Sequence, residues 1–172
     1  MTRGRQNRFV LLFALLFALF LGLIASNFAS AFEASDWSET TPPLNITHIF
    51  NGEINRKGKA TGFHHLADGE NKPTARLKKI LSGPNKYGIY TALVEIRESK
   101  THSWREKFSS MFPAKLTRPA IMKAILHAFQ KNEIQTGRKW RGPSGYGFKI
   151  EGYRLKDGRI ITAYPLYEEV KR

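Results

Sequence analysis

The chain divides into one unbroken apolar run and a longer remainder in which apolar and polar positions interleave. From Phe9 to Ala25 every residue is apolar or glycine. Arg3, Arg5 and Arg8 precede the run, no charge follows until Glu33, and small residues stand as Ala29-Ser30-Ala31. Basic, apolar and small segments in that order predict a signal peptide over 1–31: the positive end stays inside, the apolar helix enters the membrane, and small side chains fit the peptidase. A membrane span needs roughly 17–25 residues, so an uncleaved N-terminal anchor is the competing reading. The A-x-A arrangement favours cleavage after Ala31, giving a secreted or periplasmic protein with no stable membrane association. Residues 32–46 are polar, acidic and interrupted by Pro42-Pro43, which predicts a linker. The folded domain is then expected over 47–172.

Within that domain the periodicity changes along the chain. The segment from Pro73 to Leu81 predicts a short helix stopped by Gly83-Pro84, and Tyr87 to Arg97 is aromatic and β-branched, as a strand is. Thr117 is placed to cap a helix running through Pro119 to about Asn132. Ile121, Met122, Ile125, Leu126 and Phe129 fall on one face of it, the stripe that packs on a sheet. Residues 138–147 are glycine-rich and predict a loop. Phe148–Tyr153 and Arg159–Tyr164 predict two strands joined around Asp157-Gly158. With no βαβ alternation, the fold class expected is α+β, an antiparallel sheet with packed helices.

Charge adds a partner to this outline. Residues 47–172 hold 25 lysines and arginines against 11 aspartates and glutamates, a net +14. So lopsided a balance favours a polyanion: nucleic acid, anionic lipid or an acidic protein. The chain has no cysteine, which excludes disulfide bracing, a thiolate nucleophile and a cysteine-based zinc site.

Five histidines are candidates for chemistry. His102 and His127 lie in polar surroundings and read as solvated surface residues, whereas His48, His64 and His65 sit in tight, glycine-containing segments. Cleavage of RNA through its own 2′-hydroxyl needs a base, an acid and a cation for the charge that builds on phosphate. Histidine suits both proton roles near neutral pH, and lysine or arginine suits the third. Arg138-Lys139-Trp140-Arg141 interleaves cations with an aromatic ring. Such a segment either holds a nucleic acid strand by phosphate contact and stacking or is a basic turn whose Trp is anchored in the core.

Four blocks, in order, resemble the EndoU endoribonucleases, in particular the bacterial EndoU domains. His48-Ile49-Phe50-Asn51-Gly52-Glu53 resembles the first-histidine block, H-x-x-x-G-[DE]; Gly62-Phe63-His64 resembles the second. Ser109-Ser110-Met111-Phe112-Pro113 resembles an S-T-M-F-P segment, with Ser110 where threonine is usual, and Thr162-Ala163-Tyr164 resembles a closing T-x-Y. The resemblance implies an α+β fold related to the RNase A-like toxin nucleases. It implies His64 as general base, His48 as general acid and Lys107 as the third catalytic residue, with Lys115 the alternative. Thr162 and Tyr164 would line the uridine and ribose pocket, with Ser110 contributing. His65 would face away, as a structural or supporting group. The implied activity is cleavage of single-stranded, uridine-containing RNA to a 2′,3′-cyclic phosphate. No cofactor is required, and a divalent metal such as manganese enters at most as a modulator. The other readings are a non-catalytic exported protein that binds RNA or the envelope, and a toxin nuclease paired with an immunity protein.

Overall fold

The computed structural model describes residues 36–66 and 71–169; the expected signal peptide lies outside them. Asn45 opens the first element by accepting the His48 amide hydrogen on its side-chain oxygen, which caps α1 (Ile46–Phe50). A small hairpin follows, β1 (Glu53–Ile54) with β2 (Ala60–Thr61). Next comes an antiparallel meander of β3 (Ala75–Ser82), β4 (Tyr90–Arg97) and β5 (Trp104–Met111), with β4 in the centre. Helix α2 (Arg118–Gln130) begins at its Thr117 cap. A second antiparallel meander closes the chain: β6 (Ile134–Thr136), β7 (Lys139–Pro143), β8 (Lys149–Arg154) and β9 (Ile160–Pro165). The class is α+β with antiparallel pairing, as the patterning predicts; among the described residues there are two helices, of which the patterning predicts α2 alone, and the strands divide into separate sheets.

Each sheet has its own apolar cluster. Ile121, Ala124, Ile125 and Ala128 of α2 pack with Trp140, Ile150, Ile160 and Ala163 of the four-stranded sheet, joined by Ile49, Phe50 and Phe112. Ala92, Val94 and Ile96 of β4 pack with Phe63, Leu66 and Met111. The sheets meet where β5 passes β9, and the Ser110 hydroxyl donates to the Pro165 carbonyl at 2.5 Å.

Three expectations are corrected. Residues 75–82 form a strand, not a helix, because they pair along β4 from Ala75↔Ile96 to Ser82↔Thr91. As an edge strand β3 carries Lys78 and Lys79 in the open, where charge discourages pairing with another chain. The linker expected to residue 46 is, from Asp36 onward, part of the folded unit. Leu44 is fully buried, and Ile160 donates its amide hydrogen to Pro43 while accepting from Asn45, both at 2.9 Å. The loop expected at 138–147 contains β7, paired residue by residue with β8. Strand alternation then sends Trp140 inward, fully buried against Phe129 at 5.4 Å between ring centroids. Trp140 is thus a core residue, and its ring is not available to stack on a base.

Candidate active site

The two histidine segments are joined by their backbones before any side chain is considered. Phe63 donates its amide hydrogen to the His48 carbonyl at 2.9 Å, and His64 donates to Ile49 at 2.8 Å. So close an approach requires Gly62, at φ +73°, because a Cβ there would lie 2.0 Å from the His48 carbonyl oxygen. Phe63 follows at φ +58°, a strained conformation for a large side chain. It is held by complete burial and by the Ser109 hydroxyl, which donates to its carbonyl at 2.8 Å.

His64 is buried, and its Nδ1 lies 3.0 Å from the Ser110 carbonyl and 3.0 Å from Ser109 Oγ. A carbonyl only accepts, so Nδ1 carries the hydrogen and Nε2 keeps the lone pair. Burial, then the positive charge of Lys107, push the His64 pKa well below the ordinary histidine value; the Ser110 carbonyl pulls weakly the other way. The ring is therefore neutral and able to take a proton at pH 7.

His48 is oriented differently. Its Nδ1 donates to the Glu53 carboxylate at 2.8 Å, and this bond holds Glu53 below the usual carboxylate range. Lys107 Nζ donates to the Gly62 carbonyl at 2.7 Å, and burial brings its pKa down to about 8. Lys107 is thus the lysine at the histidine segments, while Lys115 stands exposed on the turn before α2.

The four-stranded sheet supplies the remaining wall. The Tyr164 ring lies 5.4 Å from the His64 ring, centroid to centroid. Its hydroxyl donates to Glu151 at 2.6 Å, and burial together with that carboxylate raises its pKa strongly. Glu151 also receives Lys139 at 2.9 Å and Arg141 at 2.5 Å. Those three bonds hold it below the ordinary carboxylate value although burial works the other way.

Among the residues expected here, His48, His64, Lys107 and Tyr164 are brought together, and Thr162 shares the Tyr164 face of β9. The Ser110 carbonyl serves His64, but its hydroxyl is committed to Pro165. Lys139 and Arg141 lie on the Tyr164 side, tied to Glu151, while Arg138 is exposed at the β6–β7 turn with its Nε on the Arg154 carbonyl. Ser109 and Glu151 were not anticipated. Each acts on a partner 13 or more residues away, at Tyr164 or His64; Ser109 stands in the third family block, but no spacing marks its bond to His64, and nothing marks Glu151. His65 is fully buried beside His64 in a segment that is not a strand, and its ring packs edge-on to Phe50 at 6.0 Å between centroids, whereas the His64 ring lies against Tyr164. Among the described residues no three His, Cys, Asp or Glu side chains gather as a metal ion would need.

Known proteins place this geometry in a lineage. The bacterial EndoU nuclease family matches residues 44–167, a span containing all four blocks. Over 132 residues the chain is 33% identical to a Bacillus cereus protein described as a toxin, a match covering 74% of this chain and 23% of that one. The chain therefore spans about a quarter of the length of that relative. No solved structure matches. With a family match across most of its length and the histidine segments locked together inside it, this chain belongs to the bacterial EndoU nucleases.

Proposed function

We propose that the protein is an exported endoribonuclease that cleaves single-stranded RNA at uridines by transesterification, with a fold of the RNase A-like type. His64 Nε2 takes the proton from the uridine 2′-hydroxyl as that oxygen bonds to phosphorus. The bond from phosphorus to the 5′-oxygen breaks, and His48 delivers a proton from Nε2 to the leaving oxygen. Lys107 balances the negative charge that gathers on the phosphoryl oxygens. A 2′,3′-cyclic phosphate and a free 5′-hydroxyl result. Tyr164 and Thr162 border the uridine.

The observation that carries this reading is the pair of differently held imidazoles on two segments joined by their backbones. One has Nδ1 held by a carbonyl in a buried, neutral setting, and the other has Nδ1 held by a carboxylate. The test is cleavage of a uridine-containing oligonucleotide by residues 32–172 in EDTA. His48→Ala and His64→Ala should each lower the rate by ~10²–10⁴-fold, and 2′-deoxyuridine at the cut should abolish it. Equal rates for His48→Ala and wild type, or cutting of the deoxy substrate, would overturn the mechanism. RNA binding with no consumption by any form would make the protein a binder.

A second reading concerns deployment. Similarity to the Bacillus cereus toxin supports a nuclease used against other cells and restrained at home by an immunity protein. Export is read from Phe9–Ala25 and the Ala29-Ser30-Ala31 site. Mass spectrometry of the native protein should find Phe32 at the N-terminus; an intact Met1 in the membrane fraction would make the segment an anchor.

A further inference from the structure

The four-stranded sheet has one face on α2 and one face open beside the histidines, and strand register assigns residues to each. Trp140, Gly152 and Ala163 form a row on the helix side. On the open side, Arg141, Glu151 and Tyr164 form one row, and Lys139, Tyr153 and Thr162 form the next. The first row reaches His64 through Tyr164. The second lies one pleat farther from it.

Tyr153 is unused by the chemistry above and is 37% exposed. It is the diagonal neighbour of Tyr164 across β8 and β9, a relation that sets backbones ~7–8 Å apart and keeps large rings within reach. The two hydroxyls are near enough for Tyr153 to add to the upward shift of Tyr164. Positive charge surrounds this ring. Lys139 is its cross-strand partner, and Lys139 and Arg141 together exceed the single carboxylate of Glu151 to which both bond. Arg138 and Arg154 continue the charge at that end of the sheet. An open aromatic ring among cations beside a strand-cleaving site has the chemistry of a base-stacking platform.

We propose that Tyr153 and Lys139 form a second nucleotide subsite, which takes the residue on the 5′ side of the cleaved uridine; this rests on the ribonuclease reading. The nucleotide 3′ to the cut carries the leaving 5′-oxygen and is assigned to His48. The 5′ neighbour leaves the uridine in the other direction along the strand and is assigned to the second row of the open face, where Tyr153 lies. Its base stacks on the Tyr153 ring, and the phosphate joining it to the uridine meets Lys139.

The test compares the dinucleotide UpA, which lacks a 5′ neighbour, with the trinucleotide ApUpA. Tyr153→Ala should raise the KM for ApUpA about tenfold or more, leave kcat unchanged, and leave both constants for UpA unchanged. Tyr153→Trp should restore the KM, and the unchanged constants for UpA are the control against a loss of stability in Tyr153→Ala. Equal losses on both substrates, or no loss on ApUpA, would overturn the subsite. If the wild type cleaves neither substrate, the nuclease reading fails, and the subsite is judged by affinity for ApUpA carrying 2′-deoxyuridine. Tenfold weaker binding by Tyr153→Ala would support it, and equal binding would overturn it.

Discussion

Gly62→Ala should cost this protein more than any other single methyl group added at its glycine turns, and the structure fixes the terms. The backbone at Gly62 has φ +73°, which an L-residue adopts at a cost of ~1–2 kcal/mol. The new Cβ would lie 2.0 Å from the His48 carbonyl oxygen and 2.8 Å from its carbon. Both are backbone atoms, so no side chain can rotate away. The two segments must separate by about 1 Å or more to reach ordinary contact. That movement breaks the bonds from Phe63 to His48 and from His64 to Ile49, and each buried group left unpaired costs ~1–3 kcal/mol. The total is roughly 3–8 kcal/mol, against a stability of ~5–15 for a domain. Gly58→Ala is the control, since φ there is +71° but nothing lies within 4 Å of the added atom. It should lose only the ~1–2 kcal/mol of the backbone term. Urea unfolding of both variants measures the difference, and RNA cleavage by whatever Gly62→Ala remains folded should fall ~10²-fold from displaced histidines. Equal urea midpoints for the two variants would refute the reasoning.

Acid should weaken the fold through His65, whose buried ring has a pKa lowered to about 4. Between pH 6.5 and 4 the unfolded chain holds a proton there that the native state does not. Stability therefore rises with pH across this window, by up to ~1.4 kcal/mol per unit from His65. His65→Phe should flatten the plot of urea midpoint against pH by that share; an unchanged slope would show that the acid sensitivity arises elsewhere. Lys107, brought down to about 8 by burial, should impose an alkaline limb on the rate as its ammonium deprotonates, and activity that holds level to pH 10 would exclude the charge role assigned to it. Trp140→Ala should cost ~3–5 kcal/mol as a core truncation, while Trp140→Phe, where folded, should keep the wild-type KM for RNA. A raised KM with unchanged stability would return that ring to the substrate surface.

What the sequence made legible was local. Helix α2 was readable because Thr117 and the stripe from Ile121 to Phe129 are helix physics within one segment, and Asp157-Gly158 marked the β8–β9 hairpin by turn chemistry alone. His48 and His64 were visible as residue types suited to proton transfer, and as a pair through the family blocks. Residues 75–82 were misread because Ala-Arg-Leu-Lys-Lys-Ile-Leu favours a helix in isolation. The decision lies in pairing with β4 and in Lys78 bonding Glu95 and Glu106, all outside the segment. Residues 138–147 read as a loop because glycine and proline punctuate them, whereas Lys139, Trp140 and Arg141 alternate as a half-buried strand does, which selects the core alternative for Trp140. Ser109 and Glu151 were invisible because their roles exist only once β5 and β8 have been laid beside the histidines.

The lead-in segment gives the four-stranded sheet a mechanical property. Residues 43–45 are stitched to Ile160 by two backbone hydrogen bonds, with Leu44 seated in the core. Ile160 begins the strand that carries Thr162 and Tyr164. Any pull on the chain upstream of Asp36 meets first the bonds from Ile46 and Thr47 to the Asp36 carbonyl, at the start of α1, and then the pair at Ile160 on β9. Tension on this segment would load the helix that carries His48 and the strand that carries Thr162 and Tyr164 together. A force on the chain ahead of the fold is thus shared by the two elements that frame the candidate site.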